Sequence, residues 1–256
     1  MYVINTMRAY IYNNFVRNLH TFFNKNEIMF VIKNPHDKIY DIKSKIKIVP
    51  EKETSCKRGG DYCIEFYSEE KGNYLRNIGY IGEQIDLWLA EKNIGALWFG
   101  IGKPDEKNFH ELKFINMSSI AKMPENMFRK DMFKSKRKPL EEFWTGDTIS
   151  SQKFSVAEIV RFAPSACNTQ PWMVENIGSE ISIYRYKKTG KRGIMPADKV
   201  RYYNRIDIGI FMFFLEVCLE QAGYTFKGTQ FFEEEPDSVE KVLVAKYEYF
   251  TKAPCS

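Results

Sequence analysis

Two short segments, Asn77-Ile78-Gly79 and Asp207-Ile208-Gly209, punctuate this chain in the same way, and their surroundings constrain the fold more than any other feature. Before the first stands Cys63-Ile64-Glu65-Phe66-Tyr67, which is strand-like. After it, Ile81, Ile85, Trp88 and Leu89 are spaced for one buried helix face, opened at Asn77-Ile78-Gly79. Gly95 is placed to end that helix in a left-handed turn. Residues 96–100 then read as a buried strand, Gly102-Lys103-Pro104-Asp105 as a turn, and residues 111–115 as another strand. The second segment repeats the order. A strand at 181–186 precedes a helix that opens at Asp207 and runs through Phe211, Phe214, Leu215 and Cys218 to Gly223; strands at 224–231 and 239–249 follow. The glycine spacings, 95 − 79 = 16 and 223 − 209 = 14, differ, so ordinary αβ punctuation could also produce the match. Five elements recurring in one order favour internal duplication, with residues 1–138 and 139–256 as the halves and the boundary near 135–140.

The densest set of hydrogen-bonding groups lies in the second half, in Ala163-Pro164-Ser165-Ala166-Cys167-Asn168-Thr169-Gln170-Pro171-Trp172. Upstream, Ser155 with Glu158 three residues on is a capping-box start, and Pro164 forbids continuation, so a short helix stops near Phe162. Downstream, Met173-Val174-Glu175 and the period-two stretch 181–186 suit strands. The connection therefore presents Ser165, Asn168, Thr169 and Gln170 at a sheet edge, stiffened by two prolines, which is where ligand contacts tend to lie. A plain helix-to-strand turn is the other reading.

Composition narrows the class. A 256-residue chain with 28% charged and 44% hydrophobic residues is ordinary for a globular protein with a sizeable core. The net charge of +5 is too mild to argue for nucleic acid. The five cysteines (56, 63, 167, 218 and 255) include no Cys-x-x-Cys pair, and His20, His36 and His110 fall in no metal-ligand spacing. With no signal peptide, and with the apolar run 208–215 too short to span a bilayer, the chain is expected to be cytoplasmic, reduced and metal-free. Neither a Rossmann nor a P-loop glycine motif follows a strand. Glu141-Glu142 and Glu233-Glu234-Glu235 are better solvated charges than acid/base pairs, and Cys167 has no histidine near it in sequence to activate it.

The segment Ala-Pro-Ser-x-x-Asn-x-Gln-Pro-Trp at 163–172 resembles the flavin-contacting loop of the nitroreductase family, whose members use FMN. The resemblance implies an α+β nitroreductase-like fold: central mixed or antiparallel sheets flanked by helices, in two pseudo-symmetric halves like a fused dimer. It also implies a composite flavin site. Ser165 and Asn168 would contact the ring edge from the second half. From the first half, Thr6 and Arg8 in Ile4-Asn5-Thr6-Met7-Arg8-Ala9-Tyr10 match later positions of the family's N-terminal motif, whose first arginine is replaced here by Ile4. Arg8 is equally readable as a solvated surface residue. Gly79 aligns with a glycine beside the flavin, where a helix start would offer free N–H donors. Arg137 and Lys138, at the end of a basic run that includes Arg129, Lys130 and Lys134, precede Pro139-Leu140-Glu141-Glu142, which reads as a helix start; they match the family's phosphate contacts. A basic linker is the other reading of that run. Trp172 is expected in the core.

The activity implied is electron transfer from NAD(P)H through FMN to a small-molecule acceptor such as a nitroaromatic or quinone, by a monomer or homodimer that binds neither nucleic acid nor membrane. A non-catalytic flavin binder is the alternative from another class, and a basic nucleic-acid-binding domain is the third.

Overall fold

The computed structural model describes residues 42–92, 94–122, 136–151, 154–186, 195–232 and 240–251. Contacts divide the chain into two compact units, described here as 42–122 and 136–251. Thr6, Arg8, Cys255 and the residues Arg129, Lys130, Lys134 and Glu233-Glu234-Glu235 lie outside the described residues.

In the first unit, β1 (Ser44–Pro50) and β2 (Tyr62–Ser68) precede α1 (Tyr74–Glu91), then β3 (Ile94–Trp98), β4 (Asn108–Phe109) and β5 (Leu112–Lys122). The sheet runs β1-β2-β5-β3, with β4 paired to β5, and every pairing is antiparallel. From Cys63 to Ser68, β2 is entirely buried, as befits an inner strand. The expected apolar face of α1 forms from Ile81, Ile85, Trp88 and Leu89, joined by Ile78; each contributes roughly 1.5–3 kcal/mol by burial. A Cβ at Gly82 would meet the Trp98 ring at 2.2 Å, so glycine lets α1 approach β3. Trp98 in turn stacks on Phe66, with centroids 5.6 Å apart.

The second unit contains β6 (Trp144–Gly146), α2 (Val156–Val160), β7 (Trp172–Ile177), β8 (Glu180–Tyr186), α3 (Ala197–Gln221), β9 (Tyr224–Phe231) and β10 (Lys241–Thr251). Its sheet runs β6-β7-β8-β10-β9; β6 joins in parallel and the rest are antiparallel. Without the accessory strands β4 and β6, both units have the same plan: two strands, a helix and two strands, in the spatial order first-second-fourth-third. The architecture is α+β.

Several local expectations are corrected. Both long helices begin well before their glycines, α1 five residues ahead of Gly79 (79 − 74) and α3 twelve ahead of Gly209 (209 − 197). Asn73 and Pro196 are the residues that precede the first turns, so neither glycine opens a helix. Gly95 ends no helix either: α1 stops at Glu91, and Gly95 pairs with Ala121 inside β3, a strand that is half-buried rather than buried. Gly223 does follow α3 in the left-handed region, at φ +89°. Pro139-Leu140-Glu141-Glu142 forms a single 3-10 turn and no α-helix. Strand β1 was not anticipated.

Candidate functional site

The connection between α2 and β7 is where the second unit concentrates polar groups. Helix α2 buries Val156, Ala157, Ile159 and Val160, and Phe162 and Ala163 follow it into the core. Ser155 caps α2 without the side-chain bond a capping box requires; the start is fixed instead by the Val156 N–H donating to the Ile149 carbonyl at 2.8 Å. At the far end Trp172 is buried and stacks on Phe211 of α3, with centroids 4.7 Å apart and planes 18° from parallel. The loop is thus anchored in the core at both ends.

Between the anchors the backbone folds back sharply. Cys167, Asn168 and Gln170 all take positive φ (48°, 55° and 46°), an uncommon conformation for residues other than glycine. Two groups hold it there. The first is Asp207 on α3, buried, whose Oδ1 accepts the Ala166 N–H at 2.9 Å and whose Oδ2 accepts the Thr169 hydroxyl and the Asn204 amide, each at 3.2 Å. Burial pushes the Asp207 carboxyl up to about 7, even though all three donors work the other way. The second is Ser165, whose Oγ accepts the Gln170 N–H at 3.0 Å and whose carbonyl accepts the Asn168 N–H at 3.0 Å.

The structure brings Arg137 and Lys138 to this loop. The Arg137 guanidinium donates to Asn168 Oδ1 through Nη1 and to the Phe162 carbonyl through Nη2, the latter at 3.1 Å. Asn168 Nδ2 donates to the Lys136 carbonyl at 2.8 Å, and the Lys138 N–H donates to Gln170 Oε1 at 2.8 Å. Four of the residues expected at the site, Arg137, Lys138, Ser165 and Asn168, therefore share one hydrogen-bonded cluster. Thr6 and Arg8 lie outside the described residues. Gly79 is buried inside α1, where its N–H belongs to the helix ladder and is not the free donor of a helix start.

Of two further members of the cluster, Gln170 was expected in the loop without an assigned contact, and Asp207 was missed. Gln170 is its hub, touching Ser165, Lys138 and, through Nε2, Asn168 Oδ1 at 3.3 Å. Asp207 had been read only as a helix opener. The signal was present: an acidic residue between Ile206 and Ile208 in an apolar stretch must be buried with partners or not at all.

A separate polar network lies in the first unit. Tyr67 Oη is 2.7 Å from Glu65 Oε2 and 2.8 Å from the Glu106 carbonyl. A phenol has one proton to donate, so both bonds form only when Glu65 is protonated. Burial, together with the nearby Asp105, raises Glu65 to about 7. Asp105 is held below its ordinary value by Lys47, 2.6 Å away, although its own burial opposes this.

A family model described as "Putative TM nitroreductase" matches residues 24–218. The chain is also similar to a solved structure from Thermotoga maritima, described as "a putative nitroreductase", with 16% identity, a TM-score of 0.49, and coverage of 94% of this chain and 91% of that one. No curated protein matches. Among the described residues, no helix is long and apolar enough to cross a membrane.

Proposed function

The chain belongs to the nitroreductase family, and on that premise we propose that it is an FMN-dependent oxidoreductase that takes electrons from NAD(P)H and delivers them to a small acceptor such as a nitroaromatic or quinone. The observation that carries the reading is the Arg137–Asn168–Gln170–Ser165 cluster on a loop stiffened at both ends. Its donor set fits a phosphorylated flavin. Arg137 reaches the loop through Asn168 Oδ1 and the Phe162 carbonyl, and its guanidinium is a group that can hold a phosphate bidentately. Lys138, whose backbone N–H donates to Gln170 Oε1, supplies a second cationic side chain next in sequence. Asn168 is exposed and carries both a donor and an acceptor for a heterocycle edge.

Bound FMN would supply the hydride and electron chemistry. The chain's part is to bind and orient. Gln170 and Asp207 hold the loop in its left-handed conformation, Ser165 and Asn168 would hold the ring edge, and Arg137 would hold the phosphate. No side chain is assigned as catalytic acid or base.

Calorimetric titration with FMN and riboflavin tests the reading. FMN should bind saturably, and Arg137→Ala should weaken FMN by about 1.5–3 kcal/mol while leaving riboflavin almost unaffected, because only FMN carries the dianion. Equal losses for both ligands would remove Arg137 from the phosphate site, and no FMN binding by wild type would overturn the proposal. Bound flavin that neither NADH nor NADPH reduces would leave a non-catalytic flavin binder.

A further inference from the structure

In the first unit, three neighbouring strands bring together a donor set that the sequence keeps apart. Glu51 directly follows β1, Cys63 is the second residue of β2, and Ser119 on β5 is the cross-strand partner of Cys63. The segment between β1 and β2 folds over this end of the sheet and adds Thr54 and Cys56. The Glu51 carboxylate, Cys56 Sγ and Cys63 Sγ all lie within 4.8 Å of one another. Thr54 Oγ1 is 3.6 Å from Cys63 Sγ, and the Ser119 hydroxyl donates to Glu51 Oε2. Both cysteines are 0% exposed, and Glu51, Thr54 and Ser119 are no more than 6% exposed. Around them pack Val49, Met117, Phe99 and Phe114.

We propose that Glu51, Cys56 and Cys63 form a binding site for a thiophilic divalent cation of the Zn2+ class, with the Ser119 hydroxyl oxygen as fourth donor. Two thiolates and one carboxylate are ligands a borderline-soft ion takes in four-coordinate geometry, whereas Mg2+ and Ca2+ require oxygen alone. Because Cys63 and Ser119 stand on paired strands, half of the donor set is fixed before any ion arrives.

The outer shell is also in place. Glu51 Oε1 accepts the N–H groups of Arg58 and Gly59 at 2.8 and 2.9 Å, and Oε2 accepts that of Gly60 at 3.0 Å. These three donors orient the carboxylate and offset the surplus negative charge of three anionic ligands around a dication. A Cβ at Gly60 would meet Ser119 Oγ at 2.2 Å and Glu51 Oε2 at 2.6 Å, so glycine keeps this space clear. An ion at Oε2 would replace the Ser119 proton there and leave the serine oxygen free to face the metal. Binding displaces one proton from each thiol to solvent. Because both thiols must lose those protons to bind, affinity should rise with pH. The sequence expectation of a metal-free chain rested on spacing, which does not register donors gathered across a sheet.

The test is titration of full-length, reduced, chelator-treated protein with Co2+, followed by displacement with Zn2+. Wild type should bind about one equivalent, with thiolate-to-cobalt charge transfer and the visible bands of a tetrahedral site. Cys56→Ser and Cys63→Ser should each weaken Co2+ at least about tenfold. Ser119→Ala, a gentler change, should alter the visible bands in a chain that still folds, while Cys167→Ser and Cys218→Ser should leave the spectrum unchanged. The absence of saturable binding to folded wild type would show that the two thiols serve only as small core side chains, and overturn the proposal. A spectrum that survives Cys63→Ser, or is lost in Cys167→Ser, would do the same.

Discussion

In the first unit Asn77 sits fourteen residues before the end of α1 (91 − 77); in the second, Asp207 sits fourteen before the end of α3 (221 − 207). Each is buried, each precedes an Ile-Gly pair, and each reaches toward the start of the first strand of its ββαββ plan. Asn77 Nδ2 donates to the Ser44 hydroxyl at the head of β1, at 3.3 Å. Asp207 accepts from the loop that leads into β7. One substituent, amide or carboxylate, separates the two. The amide's Nδ2 donates to a hydroxyl, whereas the carboxylate collects an N–H, a hydroxyl and an amide, enough to hold three left-handed residues in place. A common plan thus carries a stiffened polar loop in one unit, held by an acidic helix residue where the other unit has an amide.

The sharpest way to break this comparison is to truncate both positions. Asp207→Ala strands three donors in the interior and should cost about 3 kcal/mol, seen as a lower denaturation midpoint and as collapse of amide protection at 166–170. Asn77→Ala should cost about 1 kcal/mol. Equal losses would mean that Asp207 is an ordinary packing residue.

Next in size is pH dependence. Asp207 and Glu65 both have folded values raised to about 7, above the usual carboxylate range of an unfolded chain. Between those limits the folded state holds protons that the unfolded state has lost. Their stabilisation is therefore complete below about pH 4 and is lost as pH rises through 7. Urea midpoints measured from pH 4.5 to 8 should fall over that window, and Glu65→Gln and Asp207→Asn should each flatten part of the slope. A midpoint that rises with pH in wild type, or an unchanged slope in both variants, would contradict the assignment.

The smallest effect concerns helix ends. Gly223→Ala, at φ +89° with open space around the added methyl, should cost about 1 kcal/mol from backbone conformation alone. Lys92, which caps α1 at φ −79°, should accept alanine within about 0.5 kcal/mol. Thermal melts of the two variants separate these outcomes.

How much the sequence disclosed varied with the physics involved. Strand β9 was legible to the residue, because Gly223 marks its start. The apolar face of α1 was legible from spacing alone. The helix starts were not. The first turns of α3, Ala-Asp-Lys-Val-Arg-Tyr-Tyr-Asn, read as polar, and only Pro196 followed by Asp198 signals a beginning. Likewise α1 buries Arg76, Asn77, Glu83 and Gln84, which periodicity assigns to solvent. The loop motif pointed to Ser165 and Asn168 through resemblance. The carboxylate that supports them lies about forty residues on, a tertiary contact invisible to any local window.

The loop also has a place in time. Its bonds to residues 136–138 and to 207 cannot form until well-separated stretches of chain have met. Its left-handed residues offer nothing to a nascent nucleus and cost roughly 1–3 kcal/mol each until those bonds close. The 163–172 segment should therefore set last during folding and release first during unfolding. Substitutions at Asn168 or Gln170 would leave the folding rate nearly unchanged and accelerate unfolding, so the loop fixes how long the native state lasts and not how fast it is reached.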